Sequence, residues 1–236
     1  YEREFLETIL SDESFFTNAV NLLPPSEKDT ALPFLTAVFE TPNQALALYR
    51  QCRFFEAREL LVNTLKLYNY RCNTLSVGLN RAVEFVTKRV QALSCGLLGD
   101  VEWELGNAER AGEYYHQGLE LAEETGDADA IAKALQGLGV YFWDLGDMEQ
   151  GLSFCQRALD TVSGTDDRWM TTNRSLTSLC SMYGEIGQHE KSLEYAERAV
   201  DLCAEREDRQ GLPIALNNLA GIYMDLDGYE PAREAL

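Results

Sequence analysis

The chain has 236 residues, 45% of them apolar and 25% charged, which suits one or two domains or one elongated array and excludes disorder throughout. Its formal charge of −19 is uneven: residues 1–78 hold 10 acids and 7 bases, while residues 79–236 hold 29 acids and 13 bases. Such a surface repels nucleic acid and anionic membranes and attracts basic partners, unless it serves only for solvation.

Five lysines against fifteen arginines is a balance that a salt-adapted or GC-rich genome also produces. The six cysteines, at 52, 72, 95, 155, 180 and 203, form no CxxC pair and have no histidine nearby in metal-ligand spacing. They read as small core residues in a reducing cytoplasm. No apolar run reaches the length of a membrane-spanning helix, and no signal peptide is visible. The chain starts at Tyr1 and stops at Leu236 inside a repeated pattern, which leads us to expect a piece of a longer protein.

In residues 1–40, Phe5, Leu6, Ile9, Phe15, Phe16, Ala19 and Val20 fall at helical spacing, and Pro24-Pro25 breaks the pattern. This predicts a helical cap or docking segment, since a terminal repeat has to hide an apolar face. Residues 41–78 contain LALYRQCRFFEARELLVNTLKLYNY, a degenerate copy of the repeat that follows, with Cys52 where that repeat has a turn glycine. The next turn lies 54 residues on, so a long helix from near Leu79 and the connector from Asn73 to Gly78 have to absorb an insertion. Apolar spacing and breakers then predict helices over 79–105, 107–124, 128–145, 147–162, 167–186, 188–206, 210–226 and from 229 onward. They pair into copies of about 79–125, 126–165, 166–208 and an incomplete 209–236.

The copies align on their turns: Leu105-Gly106-Asn107, Leu145-Gly146-Asp147, Ile186-Gly187-Gln188 and Leu226-Asp227-Gly228, spaced 40, 41 and 40 residues apart. Seven residues before each turn residue stands Gly99, Gly139, Cys180 or Ala220, each preceded by a leucine. Five after it come Ala111, Gly151, Ser192 and Ala232, and seven further on Gly118, Ala158 and Ala199. Antiparallel helices approach to about 8–10 Å only where side chains are short, so these columns predict the helix crossings. Ala45 and Ala57 fall on the same columns in the degenerate copy. The turn glycine supplies a left-handed residue that ends the first helix, and Asn107 and Asp147 are expected to cap the second.

This constellation of Leu-Gly, an aromatic (Phe142, Tyr183, Tyr223), a turn glycine, Ala, an aromatic such as Tyr115 and Ala158-Leu159 resembles the tetratricopeptide repeat, in the variant with a period near 40. The resemblance covers residues 79–236 and implies an all-α fold, a right-handed α-α superhelix of antiparallel helix pairs. Two departures stand out: polar linkers replace the closing proline of the shorter repeat, and Glu102 stands where the first copy should carry its aromatic.

Signs of catalysis are few. His116 and His189 lie on polar stretches without a motif partner, Gly137 to Gly139 sit inside a helix rather than after a strand, and Glu123-Glu124 and Asp166-Asp167 lie in linkers. The expectation is a non-catalytic, cytoplasmic protein or peptide binding module with no cofactor or metal. The rivals are a sensor segment controlling an attached output domain and a helical auxiliary region of an enzyme. Exposed repeat ends also allow a homodimer.

In the resembled family the groove is lined by positions three and two before the first small column and one, four and five after it. Carried over, these are Gln136 with Gly137, Thr177 with Ser178, and Asn217 with Asn218, whose side chains suit an extended peptide backbone. Lys133 and Arg174, three residues earlier, suit a peptide carboxylate. Glu104, Asp144, Glu185 and Asp225 form an acidic column in the last turn of each first helix, where exposed carbonyls disfavour negative charge by about 0.3–1 kcal/mol. It is either a row for a basic partner segment, or a product of acidic composition or of hydrogen bonds to a neighbouring copy. Trp103 and Trp143, one residue earlier, either line the same face or pack between copies.

Overall fold

The computed structural model describes residues 36, 40–72, 81–163, 168–209 and 211–226, without the side chains of 67–72 and 81–86. The expectations for the N-terminal cap, for Ala232 and for the second helix of the last copy lie outside these residues. No strand occurs among the described residues. Helix α1 covers 40–50, α2 Phe54–Cys72, α3 Arg81–Glu104, α4 Ala108–Thr125, α5 Ala128–Asp144, α6 Met148–Val162, α7 Trp169–Glu185, α8 His189–Glu205 and α9 Gly211–Asp225. From α3 on, each helix end falls within two residues of its expected place. At 24 residues α3 is the long helix, against 17 for α5 and α7.

The turn inside each pair is a Schellman motif. At the first, Gly106 N–H bonds to the Trp103 carbonyl and Asn107 N–H to the Glu102 carbonyl, both at 2.8 Å. The same two bonds recur at Gly146 and Asp147, at Gly187 and Gln188, and at Cys52 and Arg53. Gly106, Gly146 and Gly187 have φ of 79°, 87° and 74°, the left-handed backbone that the motif requires. Cys52 takes the same role at φ 56°, despite carrying a Cβ that disfavours it. The capping expectation holds for one residue of two. Asp147 accepts from Gln150 N–H at 3.1 Å, whereas Asn107 makes no cap bond and instead donates from Nδ2 to Glu102 Oε2 at 2.7 Å.

The chain divides into two compact bodies, residues 2–134 and 135–236, with the boundary inside α5. In the N-terminal body, Ala45, Leu46 and Leu61 of the first pair are buried with Leu97 and Leu98 of α3. Gly118 of α4 meets the backbone of α3: a Cβ there would lie 3.2 Å from the Ala92 carbonyl oxygen. Glu102, in place of the expected aromatic, is fully buried. It accepts from Arg58 Nε at 2.5 Å and lies 3.8 Å from Arg110 Nη1, so a charged link to α2 replaces an aromatic contact. Only the carboxylate is out of water, since Arg58 is 31% exposed, so removing Arg58 is costly chiefly because it leaves the buried Glu102 charge less well paired.

In the C-terminal body, α5 and α6 cross at Gly139 and Gly151. A Cβ on Gly151 would lie 3.0 Å from the Gly139 carbonyl oxygen and 3.1 Å from Trp143 N. The aromatic after the first small column stacks on one from the second helix: Phe142 on Phe154 at 5.4 Å and Tyr183 on Tyr195 at 5.5 Å between centroids. Copies join in register: Gln136 Nε2 donates to Ser178 Oγ and Trp143 Nε1 to Glu185 Oε2, both at 2.8 Å and both across 42 residues. An equal offset seven residues apart means that α5 and α7 run side by side in the same direction. Tyr195 Oη donates to Gln156 Oε1 at 2.9 Å, joining the second helices α6 and α8. Leu159, Leu176, Leu179, Met182, Ala199, Cys203 and Ala215 are buried between them. In both bodies, every described residue of the three small columns is buried.

Candidate functional site

The face built by the first helices of the C-terminal body gathers most of the positions singled out from sequence. On α5, residues 136, 140, 143 and 144 recur at the spacing of one helical face. Gln136 is 6% exposed; its Nε2 is used on Ser178, and its carbonyl oxygen is buried without a hydrogen-bond partner. Gly137, Thr177 and Ser178 are half-buried, with Thr177 Oγ1 turned back onto the Asn173 carbonyl at 2.9 Å. Asn217 is exposed and Asn218 half-buried. Arg174 is half-buried, one turn before Ser178 on α7. Lys133, half-buried one turn before Gln136 on α5, belongs to the N-terminal body.

All four members of the acidic column are exposed, but they are not equivalent. Glu104 accepts from Tyr49 Oη at 3.3 Å, and Glu185 accepts from Trp143. The aromatic column therefore donates to the acid of the following copy at two places, as the reading of a bond to a neighbouring copy anticipates. Asp144 makes no ion pair among the described residues. Crowding of its carboxyl by surrounding protein, and secondarily the Glu185 charge, hold its pKa above the ordinary carboxylate value. The Schellman bonds engage the carbonyls of the two residues before Glu104, Asp144 and Glu185, which tempers the unfavourable helix end.

Trp143 is half-buried; it packs against the core and donates its indole N–H to Glu185 of the following copy, which is the use between copies. Trp103 is half-buried in the N-terminal body. The sequence pattern did not single out Val140 and Met224, which leave apolar surface exposed at 43% and 50% on groove columns of α5 and α9. His116 is exposed and His189 half-buried. Burial pushes the Cys95 and Cys155 thiols up to about 12, well away from a reactive thiolate. Among the described residues no helix is long and apolar enough to cross a membrane.

The tetratricopeptide repeat family profile matches residues 89–163. No curated protein matches the sequence significantly. Among solved structures, BtubC (BKLC) from P. vanneervenii is similar at 17% identity and a TM-score of 0.69, over 98% of this chain and 88% of that one. A STAND signal transduction ATPase with a tetratricopeptide repeat sensor, from Pyrococcus horikoshii, is similar at 19% identity and a TM-score of 0.66, over 84% of this chain and 28% of its own. The apo form of the quorum sensor NprR from B. thuringiensis is similar at 14% identity and a TM-score of 0.52, over all of this chain and 75% of its own. Residues 89–163 thus match the tetratricopeptide repeat profile, and the chain shares its fold with these structures.

Proposed function

We propose that the chain is a non-catalytic binding module that takes an extended peptide or protein segment on the face of α5, α7 and α9. The observation that carries this is the alignment of α5 and α7 by two hydrogen bonds of equal offset. It brings amide and hydroxyl side chains, exposed apolar atoms and carboxylates onto one surface. Asn217 and Asn218 offer both donors and acceptors for a peptide backbone, Val140, Trp143 and Met224 offer apolar contact, and the acids favour a basic segment. The setting is cytoplasmic, no cofactor is needed, and a homodimer through exposed repeat ends is compatible with this use of the face.

A random-peptide display selection against the chain tests this, with captured peptides re-measured against an Asn217→Ala/Asn218→Ala variant. We expect enrichment of a common motif and at least a tenfold loss of affinity, about 1.4 kcal/mol, in the variant. No enrichment, or full affinity in the variant, would refute the assignment of this face. The second reading is a sensor segment governing an attached output domain. The sensors among the similar structures support it, and it predicts that bound peptide alters the activity of whatever domain adjoins this segment in the full-length protein.

A further inference from the structure

We propose that the edge of the C-terminal body formed by the turns within its helix pairs docks a basic amphipathic helix of a partner protein, laid across successive turns. This is a second surface, at the helix ends rather than on the face assigned above to an extended peptide. Leu145, Met148 and Leu226 stand 50%, 48% and 40% exposed there, and Ile186 is half-buried. Leu145, Ile186 and Leu226 hold one position in three successive copies, directly after the last residues of α5, α7 and α9. Met148 opens α6 across the first of these turns. Each keeps apolar area that a partner would remove from water.

The spacing of the turns selects a helix. Helices α5 and α7 run the same way, joined by two bonds of equal offset. Ala196 and Ile222 share one buried cluster and Cys203 and Ala215 another, so α9 runs opposite to α8 and returns in the direction of α7. The three turns therefore lie in a row, and packed helices stand about 8–10 Å apart. Seven residues of helix rise about 10.5 Å, so apolar residues at every seventh position meet successive turns. An extended chain at about 3.3 Å per residue covers the same spacing in about three residues, which puts consecutive anchors on opposite faces.

The charge around the row selects a basic partner. Asp144, Glu149, Glu185, Glu190 and Asp225 are exposed, and residues 144–149, 185–190 and 225–226 contain no lysine or arginine. None of the five acids is in an ion pair among the described residues. Lys191, the next base along the chain, holds its ammonium over the Tyr183 ring at 4.9 Å. A helix with lysine or arginine beside its apolar stripe gains from these charges. The same field turns away a second copy of this chain, with 39 acids against 20 bases, and its own residues 1–40, with eight acids against two bases. The N-terminal body offers no such edge: Arg50 and Arg53 flank its first turn, and Ala108 stands at the place of Met148.

The test titrates the full chain with a fluorescein-labelled pool of alanine-lysine model helices carrying leucine, isoleucine, methionine or phenylalanine at every seventh position, read by anisotropy in about 0.15 M salt. This pool should bind at least tenfold more tightly than one of the same composition with its apolar residues scattered around the helix, and than one with glutamate in place of lysine. Leu145→Ser/Met148→Ser should abolish the preference over the scattered pool. Glu149→Gln/Glu190→Gln should reduce the preference for lysine over glutamate severalfold. Ile214→Ser removes an equally exposed side chain near the start of α9 and should change neither. Should the first double variant unfold, Met148→Lys repeats the test by repelling the lysine pool while Leu145 stays in place. No preference over the scattered pool, a preference that survives these variants or is lost equally in Ile214→Ser, or a lysine preference unmoved by loss of the two acids overturns the docking edge.

Discussion

At the scale of single residues, two side chains sit where the backbone or the field disfavours them. Cys52 holds the left-handed turn position that glycine fills in the next three copies. Because a Cβ there raises the energy by about 1–2 kcal/mol, Cys52→Gly should stabilise the chain by about 1 kcal/mol, a gain partly offset by glycine's freer unfolded chain. Urea denaturation measures it, and a loss of stability would show that the Cys52 side chain makes a compensating contact. Asp144 has its pKa raised in the fold, so between an unfolded value of about 3.9 and the higher folded value the native state binds more protons. Stability therefore falls as pH rises through that window. Asp144→Asn should raise the melting temperature at neutral pH, and the advantage should vanish on acidification below the ordinary carboxylate pKa. An advantage of equal size at both pH values would assign the effect to something other than charge.

At the scale of helices, the short-residue columns predict crossings, and the structure supplies the reason each needs its residue. At Gly151 the neighbours are backbone atoms of α5, which cannot step aside as a flexible side chain can. Gly151→Ala should therefore destabilise the chain by about 1–3 kcal/mol. Gly221, inside α9, has open space where a Cβ would go, so Gly221→Ala should gain about 0.5–1 kcal/mol from helix propensity. Chemical denaturation of both variants checks the pair; equal effects would mean that α5 and α6 do not touch at Gly151. The exception at Glu102 was visible in the sequence as a break in the aromatic column, but its remedy was not. Arg58 lies 44 residues away and Arg110 belongs to the second helix of the same copy, and no local pattern links either to Glu102. Asn107 matched the capping pattern and was drawn instead to Glu102, since a buried carboxylate needs a donor more than a helix end open to water does.

For the whole molecule, 39 acids against 20 bases impose self-repulsion that salt relieves. Raising ionic strength from about 0.01 M to about 1 M shortens the screening length from about 30 Å to about 3 Å and should raise the melting temperature by a few degrees. A fall would mean that attractive ion pairs, such as Arg89 with Asp127 at 2.9 Å, outweigh the net charge. By itself the sequence determined the helices, their ends, the left-handed turns and the buried small columns, because each depends on residues within about one 40-residue period. Those signals are local, and they repeat. Only the tertiary structure decided which polar side chains are spent within the fold: Gln136 on Ser178, Trp143 on Glu185, Tyr49 on Glu104 and Arg58 on Glu102. It also left Asp144 without an ion pair among the described residues. A one-dimensional pattern places a residue on a helix face, but whether its hydrogen-bonding atoms remain available depends on which copy lies beside it and at what offset, and that is fixed by packing between helices.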